Sequence, residues 1–361
     1  MPNSDYDTSN ITVLNLKESV RKRPGMYVGS LDFRGKKNLI LSVIDDYLNK
    51  NEGYKISIEI TLKQDDFIEI SFESEGKNSD FEATFRQENV NFSWLDVANL
   101  LSQYFEIKTQ KSILIFERSE LISTKTVDNF TKNTLLFKLD NTIFEDISIL
   151  YEGLFSALKE RSILNKKVEI LFKDERKRHL TQNYLHYTEG VKSFMQEFEL
   201  ECSSEKKTTF YFEEKIEDIS YAFGFFFDGY LEDNILISFM NYDKLRHHGS
   251  LTDGIIDGIL ETAKKLVKEN LELSERFNKK HKFKFSKKKG IHGLRLFASV
   301  KKKDPCFAGS TKEGISEHII YLDAKKMVFE RLYTHYTSSE AIKPKLYWSE
   351  LDTFLGQFCE Y

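Results

Sequence analysis

The stretch that most constrains the fold is Lys17 to Ser30, which reads Lys-Glu-Ser-Val-Arg-Lys-Arg-Pro-Gly-Met-Tyr-Val-Gly-Ser. Its first half has the spacing of a short amphipathic helix, with Val20 facing inward and the basic run from Arg21 to Arg23 facing solvent. Pro24 and Gly25 end this helix, because the proline ring and the missing side chain disfavour continued helical geometry. Taken alone, these residues predict one helix and a turn.

The same stretch resembles, almost letter for letter, the opening signature of the ATPase subunits of type IIA DNA topoisomerases, the gyrase B and ParE family. The resemblance extends over essentially the whole chain and is strongest at residues 5–29 and 293–312. It implies an α+β fold, with a GHKL (Bergerat) α/β sandwich and mixed sheet in residues 1–204. A ribosomal-S5-like transducer domain is expected in residues 205–361.

Hydrophobic periodicity gives a coarse secondary structure for both domains. A helix after Gly35 presents Leu39, Ile40, Val43, Ile44 and Leu48 on one face. Alternation and composition further predict strands at 55–61, 67–72, 112–117, 133–139 and 168–172, and a helix at 145–164. In the second domain, 220–227 and 234–239 are predicted to form a hairpin, and a long helix follows Ser250.

In the family, the helix after Gly35 carries a catalytic glutamate and, four residues later, an asparagine that ligates Mg²⁺. The corresponding residues are Ser42 and Asp46, and Asp45 between them matches the family's aspartate. A serine hydroxyl is a very poor proton acceptor near neutral pH, so Ser42 does not replace the general base. Asp46 still offers oxygen to Mg²⁺, but it adds a negative charge beside the phosphates.

The positions that contact the nucleotide in the family are also altered. Its Asp-Gly-x-Gly motif reads Glu73-Ser74-Glu75-Gly76, and residues 80–94, in place of a glycine-rich lid, contain no glycine. Such a lid needs bare backbone to cradle phosphates. The resemblance nevertheless implies a vestigial ATP site, and its members are Asp45, Asp46, Glu73, Thr134 and Lys312, the last in a loop that resembles Pro-x-Phe-x-x-Gln-Thr-Lys.

We therefore predict a catalytically degenerate gyrase-B-like protein that modulates DNA topology by dimerising or by binding gyrase or DNA. No cofactor is expected, and ATP and Mg²⁺ would bind only if the vestigial site still accepts them. The chain is expected to lack the TOPRIM cleavage region of its relatives. The alternative is an ATP-binding, weakly hydrolysing topoisomerase ATPase fragment, or a DNA clamp.

Two segments predict partners. Tyr6 and Ile11 match residues of the family's N-terminal arm, which reaches across to the other subunit, so a homodimer or a heterodimer with gyrase B is expected. No Asp or Glu occurs from Arg276 to Lys303, although the net charge of the chain is −4. This basic run predicts a DNA-contacting patch, formed by Lys279, Lys280, Lys282, Lys284, Lys287, Lys288 and Lys289.

Other features exclude several classes of protein. No apolar run approaches the roughly 20 residues of a membrane-spanning helix, and the polar N-terminus is unlike a signal peptide, so a cytoplasmic protein is expected. Cys202, Cys306 and Cys359 are scattered and are expected to be structural thiols. The pair His247-His248 has no third ligand nearby in sequence and does not predict a zinc site.

Overall fold

The structure, a computed structural model, describes residues 15–76, 93–127, 132–202, 208–228, 233–270, 275, 293–309, 313–338, 351 and 354–355. It divides into two compact units, Met1–Thr188 and Glu189–Tyr361.

The first unit contains one sheet, five α-helices and one short 3₁₀ helix (Gln64–Asp66) among its described residues. The strands are β1 (Ile56–Leu62), β2 (Ile68–Ser74), β3 (Ser102–Lys108), β4 (Ser112–Glu117), β5 (Glu120–Thr126), β6 (Asn133–Leu139), β7 (Val168–Asp174) and β8 (Thr181–Leu185). The helices are α1 (Leu16–Lys22), α2 (Gly25–Val28), α3 (Phe33–Lys50), α4 (Trp94–Leu100) and α5 (Tyr151–Leu164). The strand order is β5-β4-β3-β6-β2-β1-β7-β8, and only β1 and β7 pair in parallel.

The two faces of this sheet have different surroundings. On one face Tyr47 of α3 lies against Phe72, with ring centroids 4.5 Å apart, and Tyr151 of α5 stacks on Phe172 at 4.3 Å. The other face carries ion pairs between neighbouring strands, Lys173 with Glu59 at 2.5 Å among them. Buried and more exposed residues alternate along β1, β2, β6 and β7, which is the pattern of a sheet covered by helices on one side.

The predicted strands of this unit are confirmed, and the helix predicted at 145–164 begins at Tyr151 instead. The six residues before it are held as a loop by Lys36, which is fully buried. Its ammonium donates to the carbonyls of Asp146 and Ser148, at 2.6 and 2.7 Å. In a helix, each of these carbonyl oxygens would accept a hydrogen bond from the amide four residues later. Because they accept from Lys36 instead, the residues before Tyr151 do not form a helical turn.

The second unit is a five-stranded sheet between helices. Its elements are α6 (Val191–Cys202), β9 (Phe210–Ile216), β10 (Ile219–Phe227), β11 (Ile235–Met240), β12 (Asp243–Lys244), α7 (Ser250–Glu269), β13 (Leu294–Lys301) and α8 (His318–Ser338). Phe194 and Phe198 of α6 pack against Phe297 and Phe226 of the sheet, at 4.8 and 5.8 Å between ring centroids. Because of these contacts the division between the units precedes α6 and lies ahead of the predicted boundary at 204/205.

The predicted hairpin of 220–227 with 234–239 is wrong. The strand order is β12-β11-β13-β10-β9, so β13 lies between the two strands, antiparallel to β10 and parallel to β11. The true hairpin joins β9 and β10, with Ile216 opposite Ile219 across a two-residue turn. β10 is buried on both faces, and such a continuous apolar run carries no signal that identifies its partner strand.

Helices α7 and α8 cover the other face of this sheet, and they approach each other closely at two glycines. A Cβ added at Gly254 would lie 2.4 Å from the carbonyl oxygen of Tyr321, and one at Gly258 would lie 2.7 Å from that of Lys325. The absence of side chains at these positions therefore sets the distance between the helices.

None of the helices in the described ranges combines the length and the apolar character that crossing a membrane requires.

Candidate functional site

The signature segment forms α1 and α2, and its basic residues are not equivalent. Arg21, predicted to face solvent, donates through Nη1 to the carbonyl oxygen of Leu100 at 2.8 Å and through Nη2 to Asp140 Oδ2 at 2.6 Å. The Asp140 side chain is fully buried, and Thr142 donates to its other oxygen. Burial alone would raise the pKa of Asp140, but the hydrogen bonds from Arg21 and Thr142 hold it below its ordinary value.

The three polar positions on α3 that were assigned to catalysis and metal binding face different neighbours. Ser42 is half-buried. Asp45 accepts two hydrogen bonds from Arg161 of α5, at 3.0 Å from Nε and 2.9 Å from Nη2. Asp46 pairs one turn further along α3 with Lys50, at 2.9 Å. Both carboxylates thus have a cation from the same chain, and Mg²⁺ ligation by Asp46 would compete with the Lys50 pair.

Glu73 and Thr134, predicted members of the vestigial ATP site, lie on the face of the sheet opposite to α3. Glu73 is half-exposed and pairs with Lys132 at 3.3 Å. The Thr134 hydroxyl is 3.1 Å from that of Ser71, its cross-strand neighbour. Side chains alternate between faces along a strand, so an assignment displaced by one residue reverses the face.

The residues on the helix-covered face at these positions are Phe72 and Asn133, which are neighbours in the β2–β6 pairing. Phe72 is 1% exposed and Tyr47, whose ring lies against it, is 3% exposed. Burial, together with the negative charge of Glu73, raises the pKa of Tyr47 to about 12. Asn133 Nδ2 is buried without a hydrogen-bond partner among the described residues. Among the described residues, two large aromatic side chains therefore lie buried between α3 and β2.

The N-terminus of α4 is capped by side chains of its own first turn. Ser93 and Asp96 form a reciprocal capping box, in which the Ser93 hydroxyl accepts from the Asp96 amide and the Asp96 carboxylate accepts from the Ser93 amide. Burial is the main cause of a raised pKa at Asp96. A carboxylate already occupies the end of the helix where amides would otherwise attract an anion.

Several predicted site residues lie outside the described part of the chain. These are the arm residues Tyr6 and Ile11, the loop lysine Lys312, and the patch of Lys279, Lys280, Lys282, Lys284, Lys287, Lys288 and Lys289.

The described flanks of the Lys312 loop are held in place by the backbone. Ile315 forms β-bridges with Gly249 and Phe307, and Gly249 has φ +97° with the carbonyl oxygen of Ile315 only 2.3 Å from where its Cβ would stand. Glu317 accepts from the amide of Cys306 at 2.7 Å. The described residues on the two sides of residues 310–312 are therefore joined to each other by these bridges and by the Glu317–Cys306 hydrogen bond.

The two adjacent histidines have separate partners. His247 Nε2 lies 3.3 Å from Glu313 Oε2, whereas His248 Nδ1 lies 2.8 Å from the Ser238 hydroxyl. Within the described ranges, no group of three or more His, Cys, Asp or Glu side chains is placed to hold a metal ion. Cys306, expected to be a structural thiol, is exposed.

Tyr47, Phe72 and Asn133 were not predicted, because each is the immediate chain neighbour of a residue that was chosen instead: Asp46, Glu73 and Thr134. A usable signal was present in the strand itself: Ile68, Ile70 and Phe72 alternate as the apolar residues of β2, so Phe72 belongs to the buried face and Glu73 does not.

Comparison with known proteins identifies the fold. The family model for DNA gyrase B matches residues 182–341. The B subunit of DNA gyrase from Borreliella burgdorferi is 26% identical over 98% of this chain and 58% of its own length. That from Staphylococcus epidermidis is 24% identical over 92% of this chain and 55% of its own. The chain thus spans little more than half the length of these relatives.

Solved structures with the same fold include the 43K ATPase domain of Thermus thermophilus gyrase B in complex with an aminocoumarin. It has a TM-score of 0.74 and 18% identity, and the match covers 95% of this chain and 94% of that one. The topoisomerase IV ATP-binding domain of Francisella tularensis has a TM-score of 0.71 and 21% identity, covering 94% and 96%. The predicted resemblance and the GHKL fold class are confirmed.

Proposed function

We propose that this chain, a gyrase B/ParE-like N-terminal region with a GHKL fold, is not an ATPase and acts by binding other subunits. As a dimer with itself or with a gyrase B subunit in the cytoplasm, it would modulate DNA topology. The observation that carries this proposal is that the two carboxylates of the vestigial site on α3, Asp45 and Asp46, are each paired with a cation of their own chain, while Tyr47 and Phe72 are buried against each other beside them.

The loss of each catalytic requirement has its own support. No carboxylate replaces the general base at Ser42, and removal of such a group typically costs a factor of about 10² to 10⁴ in rate. Phosphoryl transfer depends on positioning and charge stabilisation of the phosphates. The capping of α4 by Asp96 places a negative charge where a phosphate would otherwise bind.

Base recognition is opposed by packing. Tyr47 and Phe72 fill the interior between α3 and β2 and are almost fully buried. A bound ring would have to displace two large aromatic side chains, and burying one such side chain stabilises the fold by about 1.5–3 kcal/mol. The same contacts thus stabilise the unit and oppose nucleotide entry.

The support for subunit binding comes from the signature segment. Arg21 fixes α1 to the end of α4 and to the buried Asp140, and an Asn15–Glu18 capping box fixes the start of α1. The segment with Tyr6 and Ile11, which lies outside the described residues, directly precedes this anchored helix in the chain. We assign dimerisation to this segment, and DNA contact to the lysine patch between Lys279 and Lys289.

Sedimentation velocity tests subunit binding directly, with the full chain alone and mixed with the host's gyrase B subunit. We expect a dimer in one of these samples that is lost in the double variant Tyr6→Ala/Ile11→Ala. Lys22→Ala, an exposed change in the same signature, is the control and should still dimerise. A monomer in both samples, or a dimer that is unaffected by the double variant, would contradict the assignment.

A further inference from the structure

A row of side chains crosses three neighbouring strands on the face of the first sheet that the helices do not cover. Tyr104 of β3 is the cross-strand partner of Lys138 of β6, and Phe67 lies beside Lys138 because Ile68 pairs with Phe137. These residues line an open bowl of about 520 Å³ together with Gln103, Glu117 and Arg118. We call it the Phe67 bowl.

The aromatic walls of the Phe67 bowl have a fixed orientation. Phe67 and Tyr104 meet edge to face, with centroids 5.6 Å apart and an interplanar angle of 76°. The Tyr104 hydroxyl donates to Glu106 at 2.6 Å, and Lys108 pairs with the same carboxylate at 2.8 Å. Both rings are half-buried, so part of each ring surface remains open to a ligand.

The two cations of the bowl, Lys138 and Arg118, are paired more weakly with carboxylates than other lysines on this face of the sheet. Lys63 and Lys173 each pair with a glutamate on a neighbouring strand. Lys138 Nζ instead lies 5.5 Å from the centroid of the Phe67 ring, and the described residues place no carboxylate within ion-pair distance of it. The Arg118 side chain is 60% exposed, and its Nε lies 3.9 Å from Asp140 Oδ2, which is at the far limit of an ion pair.

The position of Arg118 is built into the fold. Arg118 and Ser119 both have positive φ, +46° and +69°, and form the two-residue turn between β4 and β5. The Arg118 amide donates to the carbonyl oxygen of Gln103 at 3.1 Å. A two-residue turn of this kind fixes the direction of the chain. The Arg118 side chain therefore extends from a defined backbone position at the rim of the bowl.

We infer that the Phe67 bowl binds a planar aromatic carboxylate, with its ring against Phe67 and Tyr104 and its carboxylate between Lys138 and Arg118. Two cations and the carboxylate of Glu117 leave one net positive charge, which suits a ligand with a single negative charge. The volume lies in the range of about 300–1,000 Å³ that is usual for small-molecule sites.

This site lies on the opposite face of the sheet from Tyr47 and Phe72, so it is independent of the proposed loss of nucleotide binding. Ligand-observed saturation-transfer NMR with the full chain and naphthoate as the probe gives a direct test. We expect saturable binding that Lys138→Met weakens by about fivefold, the size of a favourable exposed charge interaction. Phe67→Leu should weaken it as well.

The controls separate charge from stacking. Lys173→Met removes a lysine from the same face of the sheet and should leave naphthoate binding unchanged. Naphthalenemethanol lacks the charge and should bind more weakly than naphthoate. Inorganic phosphate lacks the ring and should displace naphthoate only weakly in a competition measurement. Equal affinity for naphthoate and naphthalenemethanol, equal effects of the two lysine variants, or no saturation transfer from the folded wild-type protein would overturn the inference.

Discussion

Replacing Arg21 by methionine tests the structural role of the signature segment. The change removes two charge-assisted hydrogen bonds, to the Leu100 carbonyl and to Asp140, and leaves the buried Asp140 carboxylate with only the exposed Arg118, 3.9 Å away, as a cation. Breaking a buried ion pair from one side typically costs about 3–5 kcal/mol. Because the Arg21 side chain is 25% exposed and Thr142 still donates to Asp140, we expect a smaller loss, of about 2–4 kcal/mol in the free energy of unfolding.

Urea titration followed by hydrogen exchange of the β1 and β2 amides measures this loss for the first unit alone. Arg23→Met, two residues along the same signature and exposed, is the matched control and should change stability by less than about 0.5 kcal/mol. Since Arg21 and Asp140 share one interaction, Arg21→Met and Asp140→Asn should cost less together than the sum of their separate costs. Equal effects of the two arginine variants, or strict additivity in the cycle, would refute the assignment.

Three further predictions follow from buried contacts. Lys36→Met should destabilise the first unit by about 2–3 kcal/mol because two loop carbonyls lose their donor, whereas Lys37→Met should have little effect in the same urea titration. Gly254→Ala should lower the thermal stability of the second unit by about 1–3 kcal/mol despite better helix propensity, since its Cβ would meet the Tyr321 carbonyl; unchanged melting would contradict the packing. The pKa of Asp140 is lowered in the folded state, so its stabilising contribution is complete above its ordinary value of 3.8 and is lost as the pH falls through the folded pKa. As the pH is lowered, the free energy of unfolding should therefore fall more for the wild type than for the Asp140→Asn variant. Parallel pH dependences of the two proteins would contradict this prediction.

Much of the fold follows from local patterns in the sequence. The buried stripe of α3 and the alternation of β1, β2, β6 and β7 come from side-chain periods that the chain must satisfy to bury a core. Strand pairing is different, because the pairing of β10 with β13 joins residues about 70 positions apart and is decided by packing rather than by local propensity. The mistaken hairpin in the second unit is an example of this limit.

The candidate site shows a second limit. Glu73 and Thr134 were predicted to share a site with Asp45 and Asp46 of α3, yet both lie on the face of the sheet opposite to that helix. A one-residue displacement is small in an alignment at low identity but reverses the direction of a side chain in a strand. The burial of Lys36 could not be predicted either, because its acceptors are backbone carbonyls more than 100 residues away.

Isothermal titration of the full chain with Mg²⁺-ATP tests the central claim most directly. If Tyr47 and Phe72 fill the interior and Asp46 and Asp96 place negative charge at its edge, no Mg²⁺-dependent saturable heat should appear, with ATP or with a non-hydrolysable analogue. Saturable Mg²⁺-dependent binding that is abolished by Asp46→Ala but unaffected by Lys138→Met would contradict the account and restore the nucleotide site.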